Sequence, residues 1–367
     1  MNLENYYFEI IKTSMKQNPR IVFIVPSLKS GGAERVIVTL ANWLSREFRV
    51  QIWMMIDSSI EYTLSDNVYI DKRYTTIKKG GIKRVLWLVK QLKKDTNTVV
   101  ISFMTKLSLY AIIAAKLTGT KIIVSERNDP SKTIAAKYNS LRNFLYGLTN
   151  KIVFQTEGAK NCFSYKVQTN SVIILNPLRK NVPDIYEGER EKKIVTISRL
   201  HPQKNVNLLI EAFADFLKEY NNYRLVIYGD GPLYNELIAK TNKIDIKDKV
   251  VFAGVDENVL DKIKDATMFA ITSNFEGLSN ALIEAMSIGL PCISTDSPPG
   301  GARMIIQNGI NGILIPVGGK NELIEAMKKI ASDNELSKKI GKNAAKIREY
   351  VNEENICSQW KKLILDL

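Results

Sequence analysis

The chain has 367 residues, 45% hydrophobic and 25% charged, which is the composition of a globular protein and enough length for two domains, each with its own core. Three cysteines far apart (Cys162, Cys292, Cys357) and a single histidine, His201, argue against a disulfide framework, a zinc site or a histidine-based catalytic triad, so neither a metal nor a cofactor is expected. The net charge of +14 is carried entirely by residues 1–190, which points to an anionic partner for the first half only: phospholipid, nucleic acid or a phosphorylated acceptor.

No run approaches the length of uncharged apolar residues that a membrane span requires, and the N-terminal twenty residues mix Glu4, Glu9, Lys12 and Lys16 through their apolar positions, unlike a signal peptide. A cytoplasmic chain is expected. Short β-branched runs then alternate with segments of helical period throughout, which predicts parallel sheets. The first run, RIVFIVPS, leads into Pro26-Ser27-Leu28-Lys29-Ser30-Gly31-Gly32-Ala33-Glu34-Arg35, and Ala33, Val36, Ile37, Leu40, Ala41 and Leu44 follow at the spacing of one buried helix face. Glycines there let the backbone approach an anion at the helix start, but the loop is neither GxGxxG nor GxxxxGK[ST]; Gly31 and Gly32 fit equally a tight turn that packs the helix.

After the second run, RVQIWMMI, the chain is strongly basic: Lys72, Arg73, Lys78, Lys79, Lys83, Arg84, Lys90, Lys93 and Lys94, with no acid between Asp71 and Asp95. A helix from Ile82 gathers Ile82, Val85, Leu86, Val89 and Leu92 on one stripe and sets Trp87 among cations, a pattern suited to lying on anionic lipid and also to an ordinary surface helix. The runs TVVISF, KIIVSE, KIVFQT and SVIILNP complete the first half. The stretch Asn176 to Glu191, with two prolines and clustered charge, reads as a linker and puts the boundary near residue 185. Two doubly wound α/β domains are expected, 1–185 and 186–351, the last helix, 352–367, joining the first, with strand ends turned towards a shared cleft.

The second half opens with KKIVTISRL and continues through YRLVIYGD, KVVFAG, TMFAITS and PCISTD. Its first strand leads into Ser198-Arg199-Leu200-His201-Pro202-Gln203-Lys204-Asn205, where Arg199 offers a fork and Lys204 a point charge to a diphosphate. His201 reads as a loop residue. Further on, Ser273-Asn274-Phe275-Glu276-Gly277-Leu278-Ser279-Asn280 runs into a helix expected to start after Gly277, with free N–H groups at 278–280 as an anion site and Glu284 one turn beyond Asn280. Two carboxylates beside a phosphate site suit a nucleotide-sugar, whose ribose and hexose hydroxyls they accept from. As a bare pair, Glu276 and Glu284 read as solvated charge.

Taken in order, PSLKSGGAERV, SERNDP, ISRLHPQKN, YGDGPLYNEL, FAG, SNFEGLSNALIEAMSIGLP and NGILIPV resemble glycosyltransferase family 4, retaining enzymes with the GT-B fold, over nearly the whole chain. The resemblance implies that Glu284 holds the donor ribose, that Glu276 and the backbone of Gly277, Leu278 and Ser279 hold the donor sugar and phosphate, that Arg199 and Lys204 neutralise the diphosphate, and that Gly31 and Gly32 approach donor and acceptor. It implies a bacterial enzyme of exopolysaccharide, capsule or O-antigen assembly, acting with a nucleotide-sugar (a UDP-sugar) and a polyprenyl-diphosphate-linked saccharide; the basic stretch around Trp87 adds the inner membrane face as an expected partner, and no nucleic acid is expected. In Ser125-Glu126-Arg127-Asn128-Asp129-Pro130 the chain carries Arg127 where many members have a donor-contacting histidine, which leaves the role of Arg127 open between acceptor diphosphate and donor sugar. Two other readings stand beside this one, a sugar epimerase or phosphorylase of the same fold and a basic nucleic-acid-binding protein; the latter lacks a recognisable reading module.

Overall fold

The structure, a computed structural model, describes residues 18–29, 31–56, 59–73, 80–133 and 136–367. The expectations for residues 1–17, Ser30, Lys78 and Lys79 lie outside these. The chain forms two compact units, Met1–Pro177 with Glu353–Leu367, and Leu178–Asn352.

The first unit is a parallel sheet of β1 (Arg20–Val25), β2 (Val50–Met54), β3 (Val68–Asp71), β4 (Thr98–Phe103), β5 (Lys121–Ser125), β6 (Lys151–Phe154) and β7 (Ser171–Ile173) in the order 3-2-1-4-5-6-7. The second is a parallel sheet of β8 (Glu191–Ile197), β9 (Arg224–Tyr228), β10 (Val250–Gly254), β11 (Ala266–Ile271), β12 (Cys292–Thr295) and β13 (Ile313–Ile315) in the order 10-9-8-11-12-13. Helices cover both faces of such sheets, so β1, β4 and β11 are buried along their whole length, and their sequences are unbroken β-branched and aromatic runs rather than alternating ones. Both units are therefore doubly wound α/β, as the alternation predicts.

In each sheet the strand order reverses once, between β1 and β4 and between β8 and β11. At such a reversal the loops beyond the strands part and leave room for a ligand. The helices that matter below are α1 (Gly32–Leu44), α2 (Gly81–Leu92), α3 (Thr105–Thr118), α4 (Asn139–Tyr146), α5 (Val206–Phe216), α6 (Asn280–Ser287) and α7 (Glu353–Leu365). α1 buries Val36, Ile37, Leu40, Ala41 and Leu44, the face read from their spacing, and α5 buries Leu209, Ala212, Phe213 and Phe216 at the same helical period. α7 returns to the first unit, where Ile356, Cys357, Trp360, Leu363 and Ile364 enter the core around α1 and β1.

The boundary between units falls at Pro177–Leu178, eight residues before the expected one. The segment that follows is tied to the second unit from its first residue. The Leu178 N–H donates to Val351 O at 2.7 Å, Arg348 donates to Pro183 O, and the Arg190 guanidinium donates to Lys264 O, Ala266 O and Gly289 O at 2.8 to 2.9 Å.

Trp87 departs from its expected place. It is half-buried, edge-on to Trp53 with ring centroids 5.4 Å apart, and so is not displayed among the cations of α2. The buried residues of this helix are Leu88, Gln91 and Leu92, a face turned roughly a quarter turn from the stripe the sequence suggests. Ile82 and Leu86 of that stripe are 79% and 60% exposed instead. The hydrophobic pattern of the helix is ambiguous, and the aromatic partner on β2 decides it.

Candidate active site

In the second unit the two loops at the strand reversal, after β8 and after β11, are stitched to each other. The Asn274 N–H donates to Gln203 O at 2.8 Å, Gln203 Nε2 to Phe275 O at 2.9 Å, Asn274 Nδ2 to Pro202 O at 3.0 Å, and Asn205 Nδ2 to Asn274 Oδ1 at 3.1 Å. Thr272 Oγ1 donates to the carbonyls of Lys204 and Asn205 at 3.2 and 2.9 Å. Asn205 adopts the left-handed conformation (φ 46°), which turns the chain from this loop into α5. The loop after β8 is braced from its other side by the Gly229-Asp230-Gly231 turn. Ser198 N–H donates to Tyr228 O and Leu200 N–H to Asp230 O, each at 2.9 Å. A Cβ on Gly229, whose φ is +129°, would lie 2.0 Å from Ser198 O, so only glycine allows this approach.

The result places two of the sequence-derived residues in contact. Lys204 Nζ pairs with Glu276 Oε2, and Ser273 Oγ donates to the same oxygen at 3.0 Å. Both side chains are largely buried. The Glu276 N–H in turn donates to Pro298 O at 2.8 Å. Arg199 projects from the same loop, exposed, and its guanidinium has no partner among the described residues. His201 caps the turn Pro202–Lys204, its Nδ1 accepting from Gln203 N–H at 3.3 Å. A pocket beside Glu276 is lined by the hydroxyls of Ser273, Ser279, Ser294 and Ser297 and by Gly277, with Ile271, Leu282 and Ala302 as its apolar wall.

The helix after Gly277 starts later than expected. Its first residue is Asn280, and Ser279, in extended conformation, is the N-cap, with its Oγ accepting from Leu282 N–H at 3.4 Å. Serine competes for the orphan N–H groups of the first turn, which is why the cap falls there and not at Gly277. Leu278 is thus in the loop, and the first turn of α6 begins at 280. Glu284 lies one turn into α6 and is 4% exposed. Gly301 packs so closely on this turn that a Cβ there would meet Gly277 O at 1.7 Å. Sequence reading passed over Gly301 and the Pro298 carbonyl, although Pro298-Pro299-Gly300-Gly301 directly after a strand is a strong turn signal.

In the first unit Gly31 is the N-cap of α1 and has extended backbone. Its N–H donates to Tyr62 Oη at 2.8 Å, and the Tyr62 hydroxyl donates to Gly31 O at 2.7 Å. Tyr62 therefore holds the backbone of the glycine loop, which favours the packing-turn reading for Gly31; Gly32 is the first residue of the helix. Arg127 follows β5. Its Nη1 donates to Asn176 Oδ1 at 2.7 Å, and Asn176 is held by Gln155 Nε2 at 2.5 Å. The guanidinium lies 4.5 Å from the Phe103 ring centroid and 5.6 Å from that of Trp360. Burial pulls its pKa down to about 9, so it is still a cation at neutral pH. Among the described residues no group of three or more potential metal ligands converges, and no helix is long and apolar enough to cross a membrane.

Residues 179–347 match the family described as Glycosyl transferases group 1. The chain is 29% identical over 361 residues, 95% of its length and 99% of the relative's, to a Campylobacter jejuni protein named GalNAc-alpha-(1->4)-GalNAc-alpha-(1->3)-diNAcBac-PP-undecaprenol alpha-1,4-N-acetyl-D-galactosaminyltransferase. A second C. jejuni relative, N-acetylgalactosamine-N,N'-diacetylbacillosaminyl-diphospho-undecaprenol 4-alpha-N-acetylgalactosaminyltransferase, is also 29% identical, over 90% of this chain and 94% of its own. Among solved structures the fold is similar to Anabaena HepE in complex with UDP, with a TM-score of 0.82, 18% identity, and coverage of 95% of this chain and 100% of that one. The second unit thus matches a group 1 glycosyltransferase domain, and the chain, with its two doubly wound sheets, has the GT-B fold.

Proposed function

We propose that the chain transfers a hexose or N-acetylhexosamine, with retention at the anomeric carbon, from a UDP-sugar to a saccharide carried on polyprenyl diphosphate, in the assembly of a surface polysaccharide. The observation that carries the donor half is the joining of the loops after β8 and β11, which sets Arg199, the Lys204–Glu276 pair and the Ser279-capped start of α6 at one end of the second sheet. Cations and an oriented helix start suit a diphosphate, and a buried carboxylate on the same helix, Glu284, suits a ribose diol. The acceptor half rests on the relatives, whose names carry undecaprenol diphosphate. The UDP in the related fold supports the choice of base.

In the reaction the acceptor hydroxyl oxygen bonds to the donor's anomeric carbon as the bond from that carbon to the diphosphate breaks, and the hydroxyl proton passes to the departing phosphate oxygen. The protein needs no imidazole for this. It supplies positioning and charge: Arg199 and Lys204 offset the negative charge growing on the diphosphate, Lys204 moving from its present partner Glu276 towards the phosphate, and Glu276 is freed to accept from the sugar. Neither a metal nor a cofactor enters the scheme.

We place the enzyme on the inner face of the membrane through α2, α3 and α4. These packed helices expose Lys83, Lys90, Lys106 and Lys116, contain no acidic residue, and also expose Ile82, Leu86, Leu117, Leu141 and Phe144. Apolar side chains among cations suit an anionic lipid surface.

Thermal shift with UDP and UDP-sugars, on wild type and Glu284→Ala, tests the donor site. A ligand at 100 times its Kd stabilises by about 2.7 kcal/mol. The wild type should shift by several degrees and the variant by little; equal shifts would refute the ribose contact.

A further inference from the structure

Arg127 is half-buried as a residue, but its guanidinium is enclosed and incompletely satisfied. Nη1 is bound to Asn176, whereas Nε and Nη2 are buried and have no hydrogen-bond partner. These two nitrogens form one edge of the guanidinium, the edge that presents two parallel N–H groups to a carboxylate or phosphate. The same edge is used twice elsewhere in this chain, by Arg73 on Asp71 and by Arg303, whose Nε and Nη2 each donate to Asp296 at 2.7 Å. At Arg127 the edge is made ready and has no carboxylate. The neighbouring Glu126 is turned away, accepting from Thr105 Oγ1 at 3.0 Å and from the Tyr146 hydroxyl at 3.1 Å.

The rest of the surroundings fix the fork in place. Phe103, at the end of β4, and Trp360, from α7, stack on each other at 5.9 Å, and the guanidinium lies over both. Stacking occupies the face of the group and leaves its edges free. Gln155, beyond β6, holds Asn176, beyond β7, which holds Nη1. Residues from the ends of four adjacent strands and the last helix thus converge to orient a cation that stays buried and uncompensated. Burying a charge in this way is costly unless a ligand completes it.

We propose that the Nε/Nη2 edge of Arg127 is an oxyanion subsite that binds a phosphate of the lipid-linked acceptor. The assignment to the acceptor rests on the function proposed above and on the place of Arg127 in the basic first unit, whereas the cations proposed for the donor belong to the second. The shared chemistry is a diphosphate, and two sources could supply it, the prenyl diphosphate of the acceptor and the diphosphate of the donor.

The test is titration of the full-length chain with farnesyl diphosphate, inorganic pyrophosphate and UDP, comparing wild type with Arg127→Met and Arg127→Lys. Arg127→Met should weaken farnesyl diphosphate on the order of 10- to 100-fold, the worth of a charge-assisted pair of hydrogen bonds, and leave UDP unchanged. Its melting temperature should equal or exceed that of wild type, since an uncompensated buried charge has been removed. Unaltered farnesyl diphosphate binding by folded Arg127→Met overturns the subsite. Loss of UDP with retention of farnesyl diphosphate overturns the acceptor assignment in favour of the donor. Pyrophosphate binding that depends on Arg127, in a wild type that ignores farnesyl diphosphate, upholds the fork and rejects the lipid acceptor. If Arg127→Met does not fold, Arg127→Lys decides, because it keeps the cation and lacks the planar edge: about tenfold weaker binding is expected, and wild-type binding overturns the proposal.

Discussion

A methyl group added at Gly301 would sit 1.7 Å from Gly277 O and 3.0 Å from the Leu278 Cα, both backbone atoms that cannot step aside as a side chain can. The loop that leads into α6 would have to move. Gly301→Ala should therefore cost about 1 to 3 kcal/mol, the usual cost of overpacking, and should also reduce the stabilisation by UDP. A calorimetric melt with and without UDP checks both; a variant with an unchanged UDP response would show that the Gly277 turn does not touch the donor. The Lys204–Glu276 pair allows a sharper separation. Removing Lys204 alone leaves Glu276 with only the Ser273 hydroxyl, so the single variant mixes a stability loss with any loss of function. The double variant Lys204→Met/Glu276→Gln removes both charges. It should recover most of the melting temperature while kcat/KM stays on the order of 100-fold down, the scale of losing one group that stabilises transition-state charge. Recovery of activity with stability would mark the pair as structural. At this scale the sequence marked Arg199, Lys204, Glu276 and Glu284 by residue type and order alone. It did not mark Ser273, Gln203 or Tyr62, because a hydroxyl or amide that braces a loop has no pattern until the loops are folded together.

Elements were legible in proportion to their periodicity. The strands of both sheets are short runs that no helix pattern matches, and α1 and α5 bury the residues their spacing selects. The buried face of α2 differs from the expected one because its apolar residues spread over more than one face, and the edge-on packing of Trp87 against Trp53 turns Leu88, Gln91 and Leu92 inwards. The correction moves the proposed docking surface from a tryptophan to Ile82 and Leu86, and it joins α2 to α3 and α4, whose exposed Leu117 and Phe144 the sequence alone did not group with it. Lys83, Lys90 and Lys93 are exposed on the outer side of α2. Near an anionic leaflet each is worth about 1 kcal/mol, so reversing all three to glutamate should weaken vesicle binding by about 3 kcal/mol or more, on the order of 100-fold. Co-sedimentation with vesicles rich in anionic lipid, against neutral vesicles, measures it. Undiminished binding of the triple variant would remove α2 from the surface, and binding that ignores lipid charge would leave only the apolar side chains to account for it.

For the whole molecule the notable connection is the return of the last helix to the first unit. The sequence assigns 352–367 to the first domain, and in the structure Ile356, Cys357, Trp360, Leu363 and Ile364 are buried among α1 and the first sheet. Trp43 Nε1 donates to Glu354 Oε2 at 2.8 Å, and Lys361 Nζ donates to Glu47 at 2.7 and 2.8 Å, so polar contacts fix the same register. A fully buried large apolar side chain contributes about 1.5 to 3 kcal/mol. The loss of four such residues, and of Cys357 with them, therefore approaches the entire stability of an ordinary domain, about 5 to 15 kcal/mol. A chain ending at Asn352 should accordingly lose the melting transition of the first unit and keep that of the second, whose core has no residue from α7. The surviving transition should still rise with UDP, because Arg199, Lys204, Glu276 and Glu284 all belong to the second unit. Farnesyl diphosphate should no longer bind, since Trp360, one of the two rings under Arg127, is gone. Differential scanning calorimetry on the truncated chain reads both ligands at once. If the UDP response disappears together with the first unit, donor binding depends on residues outside the second sheet's loops, and the assignment of the donor site to that unit alone fails.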